Sequence, residues 1–286
     1  MIGEGDSMVT TKTLKAEDVV KRCNDLKAFW LERNKKFKEW YSLVEMEDKL
    51  KQDKMESFVG NDPRASFNLI LSLLEQRIPH RIASADLTTD LAAAAGDVEE
   101  FFEVAWADIF EQYRRRGRYW LHDFLGLMLS TGWYNVFATI TMDGTRCIAE
   151  IWHPSQVFQN WDDDLVECAH AFPATPMEAR RLILRLGWNV EPPRQKVTVS
   201  DYWFLDDGGR VHNTIALGKD LVKPDTVEMR FKRIPIFTAP VGGLPDIGLM
   251  GPVGEANRWK AEMGQSLLAT NENIYHSWNK WWTFSM

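Results

Sequence analysis

The spacing of apolar residues changes at Gly132, and that change limits what the two halves of this chain can become. Before it, apolar side chains return every three or four residues, the repeat of a helix with one buried face. After it, β-branched and aromatic residues gather in short runs bounded by turn formers, the pattern of strands. The sequence therefore predicts an α+β fold: long N-terminal helices packed with a mostly antiparallel sheet, followed by a C-terminal helix.

Residues 1–14 are polar and offer nothing to pack, so disorder is expected there. The helical part is expected over 15–132. From Glu17 to about Asp48, Val20, Cys23, Leu26, Trp30, Phe37, Trp40 or Tyr41, and Val44 predict one amphipathic helix of roughly thirty residues. A turn at Gly60-Asn61-Asp62-Pro63 precedes a second helical run, Phe67 to Leu74, closed by Pro79. A third runs from about Asp97 to Ser130, with a break near Gly117.

The antiparallel part is expected over 133–239. Tyr134 to Met142 and Cys147 to Trp152 flank Asp143-Gly144, a two-residue hairpin signal. Further strands are expected at Leu165 to Phe172, Val197 to Leu205, Val211 to Leu217 and Val227 to Phe237, with a turn at Asp206 to Gly209. One helix, Met177 to Leu186, interrupts them, with Thr175 as cap and Pro176 at its first position.

Residues 240–254 are rich in Gly and Pro and read as a hinge. Beyond it, over 255–286, Trp259, Met263, Leu267, Ile274, Trp278 and Trp281 fall on one side of a final helix and form a candidate subunit interface. The helix reaches Met286 without a stop signal, which fits a piece of a longer protein.

Chemistry-bearing motifs are scarce. There is no GxxxxGK[ST], HExxH or GxSxG, and Cys23, Cys147 and Cys168 form no CxxC pair. No run approaches the ~18 apolar residues of a membrane span, so the chain reads as cytosolic. A formal charge of -7 disfavours tight, general DNA binding through phosphates. No cofactor, metal or catalytic residue is expected.

Asp162-Asp163-Asp164 with His153 is the best catalytic candidate, because hard cations take carboxylate oxygens and two-metal nucleases use such clusters. Consecutive residues on an extended chain point to alternating sides, however, so a solvated turn between strands outweighs metal binding. His80, His122 and His170 lack a ligand-spaced partner and read as core or surface histidines. Arg114, Arg115, Arg116 and Arg118 could touch phosphate, but on a helix they spread around the cylinder, which favours a solvated or subunit-pairing face.

The order of features resembles the portal proteins of short-tailed and related tailed bacteriophages. Phe37-Lys38-Glu39-Trp40-Tyr41, Asn61-Asp62-Pro63-Arg64 and Ile78-Pro79 look like the start of such a chain. Cys147 to Pro154, Val157 to Asp164, the strand Leu165 to Phe172, and Thr175 to Ala179 resemble the portal wing pattern of strand, His-Pro, acidic turn, strand and short helix. Asn271 to Ser277 is similar to the entry into the stem. The likeness spans most of 17–280. It departs from the family in lacking the rest of the stem, the clip and the crown.

The resemblance implies a dodecameric ring at one capsid vertex, in the virion and, during assembly, the host cytoplasm. Its implied partners are further copies of itself, the terminase large subunit, the major capsid protein, a tail adaptor, and double-stranded DNA passing without sequence specificity. The rival readings are a metal-dependent nuclease or phosphoesterase built on Asp162 to Asp164 and His153, and a capsid adaptor without a channel.

Overall fold

The computed structural model describes residues 14–48, 59–76, 89–141, 143–162, 164–242 and 264–285. It is mixed α/β, with seven α-helices and two antiparallel sheets among these residues. The chain forms two compact units, each made of separated stretches: Met1–Ala28 with Gln156–Ile234, and Phe29–Ser155 with Pro235–Met286.

In the first unit, α1 (Ala16–Phe29) belongs up to Ala28 with the five-stranded meander β3 (Val157–Trp161), β4 (Leu165–Ala174), β5 (Val197–Leu205), β6 (Val211–Leu217) and β7 (Asp220–Val227). Val19, Cys23 and Leu26 recur at helical spacing on α1 and are buried. The helix is tied to the sheet by Arg22, whose Nε and Nη2 donate to Glu167 of β4 at 2.7 and 2.6 Å.

Between β4 and β5 stands α6 (Pro176–Leu186), which buries Ala179 and Ile183 against Ala174, Val199 and Leu217. Thr175 is the expected cap and Pro176 the first helical residue, and Glu178 adds a capping box that was not expected: its amide donates to Thr175 Oγ1, and its carboxylate accepts from the Thr175 amide. Asp206 to Gly209 makes the expected turn, closed by the Asp206 amide donating to the Arg210 carbonyl at 3.0 Å.

The strand expected over Val227 to Phe237 is not there. The pairing partner of β6 is β7, joined to it through Gly218 at φ +62°, and β8 (Ile236–Pro240) is a separate strand of the second unit. β7 carries Pro224, which an edge strand tolerates although it lacks a backbone donor.

In the second unit, α2 (Leu31–Val44), α3 (Asp62–Glu75), α4 (Thr89–Arg115) and α5 (Trp120–Thr131) accompany a three-stranded sheet of order β2-β1-β8, with β1 (Trp133–Ile140) and β2 (Cys147–Ile151). The core gathers Phe67, Leu71, Ile109, Tyr113, Trp120, Leu121, Leu125 and Ala149. Gly117, at φ +69°, supplies the expected break between α4 and α5. Asp143-Gly144 sits in the β1–β2 turn as expected, but the turn is wider than two residues, with the Thr141 amide donating to the Arg146 carbonyl at 2.9 Å.

The single thirty-residue N-terminal helix is corrected to two. It breaks at Trp30, which is 1% exposed and stacks edge-on against Trp133 with ring centroids 5.6 Å apart. Arg33, fully buried, lies between rings: its guanidinium carbon is 4.4 Å from the Trp30 centroid, 5.0 Å from Trp133 and 5.1 Å from Phe37. It also donates to the Pro154 carbonyl at 3.0 Å. The single sheet expected over 133–239 is likewise two sheets, one in each unit.

Candidate functional site

The residues leading into the last helix cross the body of the second unit through glycines. Gly132 ends α5 at φ +66°, and its carbonyl accepts the Val241 amide at 2.8 Å. The Val241 carbonyl accepts from the Gln265 amide at 2.8 Å, and the Leu267 amide donates to Leu129 at 3.0 Å. A methyl on Gly264 would overlap the Gly132 carbonyl and stand 2.7 Å from the Val241 nitrogen. Only glycine lets these backbones approach so closely. Ser266 and Leu268 are buried as a result, at 2% and 1% exposure.

The helix expected over 255–286 is therefore interrupted: residues 264–268 are non-helical, a 3-10 turn follows over Ala269–Asn271, and α7 (Glu272–Ser285) begins only there. In this non-helical strap the Gln265 and Leu267 amides donate to the Val241 and Leu129 carbonyls and so do not enter an α-helical ladder. Of the six residues expected to line an interface, Trp259 and Met263 lie outside the described residues. Leu267 is on the strap, and Ile274, Trp278 and Trp281 are on α7.

One side of α7 is pinned. Glu272 accepts from Trp40 Nε1 at 2.6 Å and from Lys36 Nζ at 3.4 Å, and Asn279 Oδ1 accepts the Gly60 amide at 3.0 Å. The other side is in solvent: Ile274, Trp278, Trp281 and Phe284 are 62%, 47%, 57% and 70% exposed, and no residue of α7 is buried. The Trp278 and Trp281 rings stack at 5.6 Å, and Trp282 meets Trp281 edge-on at 5.1 Å. An open groove runs along Asn273, Ile274, Ser277, Trp278 and Trp281.

The arginine cluster is at the end of α4 and in the turn after it. Arg114 and Arg115 pair with Glu111 at 2.5 and 3.0 Å, Arg118 pairs with Asp123 at 2.8 Å, and Arg116 lies over Tyr113 at 5.8 Å. Three of the four arginines thus share two carboxylates, so the cluster is only half offset.

His153 and the aspartate turn belong to different units. The ring nitrogen Nδ1 of His153 contacts the Ser155 amide and hydroxyl at 3.2 and 2.8 Å, and burial lowers its pKa. The turn joins β3 to β4. Asp162 and Asp164 are exposed, Asp164 pairs with Arg233 at 2.9 Å, and Asp163 lies outside the described residues. No cluster of three or more His, Cys, Asp or Glu arranged for a metal occurs among the described residues.

Of the other histidines, His80 lies outside the described residues. His122 is exposed and contacts Glu75, whereas His170 is buried on β4 and stacks near Phe172 at 4.7 Å. Sequence reasoning missed His212, held between Asp225 at 2.8 Å and Asp206 at 3.3 Å and 4% exposed. Both of its ring nitrogens are engaged, so the group fastens β6 to its neighbours and has no nitrogen left for a substrate. Hydrogen bonds from the Arg210 backbone and side chain hold Asp206 well below the usual carboxylate range. The strand alternation hides this cluster, because its members lie on three different elements. Cys23 is inert as well: burial pushes its thiol up to about 12.

No described helix is long and apolar enough to cross a membrane. No protein-family model matches the chain, and no curated protein matches it.

Proposed function

We propose that this chain is a structural subunit that assembles with copies of itself, in the manner of the N-terminal wing and stem entry of a tailed-phage portal protein. The observation that carries the reading is the aromatic side of α7, where Ile274, Trp278, Trp281 and Phe284 stand in solvent while the opposite side is fastened through Glu272 and Asn279. A stripe of this kind is stabilised when a neighbour covers it. In a portal-like ring, adjacent stem helices would be that neighbour. An acidic overall balance, with the clustered arginines half offset by Glu111 and Asp123, suits a ring that lets DNA pass without gripping it.

The test is mass in solution across a concentration series, for the chain as it is and for Trp278→Ser with Trp281→Ser. The expected result is an assembly larger than a dimer that the double substitution weakens at least tenfold. A chain that stays monomeric into the high micromolar range, or an assembly indifferent to both substitutions, would overturn the reading.

A further inference from the structure

Two helices present solvent faces of the same geometry and opposite charge. On α6, Met177, Arg180, Arg181 and Leu184 stand at i, i+3, i+4 and i+7 and so form one stripe, with Arg185 beside it. All five are exposed, Met177 by 61% and Leu184 by 73%. None of the three arginines forms an ion pair among the described residues; Arg181 reaches only the Met177 sulfur, at 3.9 Å. The acid on the same helix, Glu178, is engaged by Thr175 in the capping box.

On α4, Asp97, Glu100, Phe101 and Val104 repeat the same spacing, with Glu103 beside them. These too are exposed, Phe101 by 48% and Val104 by 64%. Asp97, Glu100 and Glu103 form no ion pair among the described residues. The far end of the same helix is different, since Asp108 and Glu111 are taken by Arg146, Arg114 and Arg115.

We infer that the α6 face of one copy receives the α4 face of a second copy. With the two helices parallel, Arg180 and Arg181 then meet Asp97 and Glu100, while Leu184 covers Phe101 and Val104. Each face alone combines unpaired charge with exposed apolar side chains, and each supplies what the other lacks. A DNA duplex would offer phosphates to the arginines but no apolar surface to Met177 and Leu184, and it would meet a chain of net charge -7. Because the two faces differ, the contact is heterologous: it propagates from copy to copy and closes only as a ring or continues as a filament. The inference rests on the assembly reading above and names a second contact for it, separate from α7.

The test uses the full chain with Arg180→Glu and Arg181→Glu in one variant, and Asp97→Lys and Glu100→Lys in another. Sedimentation velocity reads association, and circular dichroism checks that each variant is folded. Each variant alone should associate at least tenfold more weakly than the unaltered chain, and a one-to-one mixture should recover association, because each reversed face then finds a complement on the other variant. Leu184→Cys in one chain and Val104→Cys in another should give an inter-chain disulfide on mild oxidation.

Unchanged association in both variants, with no cross-link, overturns the α4–α6 contact while leaving assembly through α7 standing. A mixture that fails to recover also overturns it. So does loss of duplex-DNA retention in the arginine variant with association unchanged, which would make the α6 face a phosphate-binding surface. A chain that remains monomeric throughout overturns the contact and the assembly reading together.

Discussion

Arg22 and Glu167, separated by 145 residues, meet in a two-pronged ion pair at 2.6 and 2.7 Å that fastens α1 to β4. Tyr202 Oη donates to the same carboxylate at 2.8 Å, and Asn160 donates at 3.3 Å. Glu167 is therefore the hub on which α1, β3, β4 and β5 converge.

Glu167→Gln should destabilise the first unit by about 1–2 kcal/mol, since charge-assisted bonds are lost but Arg22 is partly in solvent. Urea unfolding at neutral pH measures this. Burial alone would raise the Glu167 carboxyl, but the Arg22 and Tyr202 hydrogen bonds outweigh it and leave the pKa lowered. The folded state thus holds its proton less tightly than the unfolded state. The contribution is present above the unfolded carboxylate value and is lost as pH falls through the folded one. Glu167→Gln should remove that part of the acid sensitivity.

His170 gives a second pH dependence at higher pH. Burial lowers its pKa from 6.5 to about 3, so between those values the unfolded chain takes up a proton that the folded one refuses. Stability should decline as pH falls from 6.5, by up to roughly 1.4 kcal/mol per pH unit from this group, and the decline should cease below about 3. Denaturant midpoints at pH 7 and pH 5 for the unaltered chain and for His170→Gln check it. An equal pH 5 penalty in both proteins would show that His170 is not the source.

Gly264→Ala should release the strap, because its methyl would overlap the Gly132 carbonyl and crowd the Val241 amide. The expected cost is about 1–3 kcal/mol, concentrated locally. Hydrogen exchange at Gln265 and Leu267, whose amides are bonded to Val241 and Leu129, should accelerate strongly while the amides of β5 and β6 stay protected.

Arg33→Ala should cost about 3 kcal/mol or more in the second unit, since it empties a buried site between Trp30, Trp133 and Phe37. Arg33→Lys should restore little of this, because an ammonium cannot lie flat among three rings while donating to Pro154. Thermal unfolding followed by tryptophan fluorescence separates the two variants.

Elements whose signals are local can be read from a few consecutive residues. Thr175, Pro176 and Glu178 specify the start of α6, Gly117 the break after α4, Gly132 the end of α5, and Asp206 to Gly209 the β5–β6 turn, because capping and positive φ depend on a few consecutive residues. The stripe of Ile274, Trp278 and Trp281 was legible for the same reason, as a helical repeat. Contacts between distant residues follow from how the folded chain packs. Arg33 follows the polar pattern of a solvent-facing residue until Trp30 and Trp133 enclose it, and His212 acquires its place only when Asp206 and Asp225 arrive from the β5–β6 turn and from β7. The division of the strands into two sheets, and the strap that delays α7 until Glu272, depend on which backbone donors find which acceptors. A hydrophobic period records which face of an element is buried, but not what buries it.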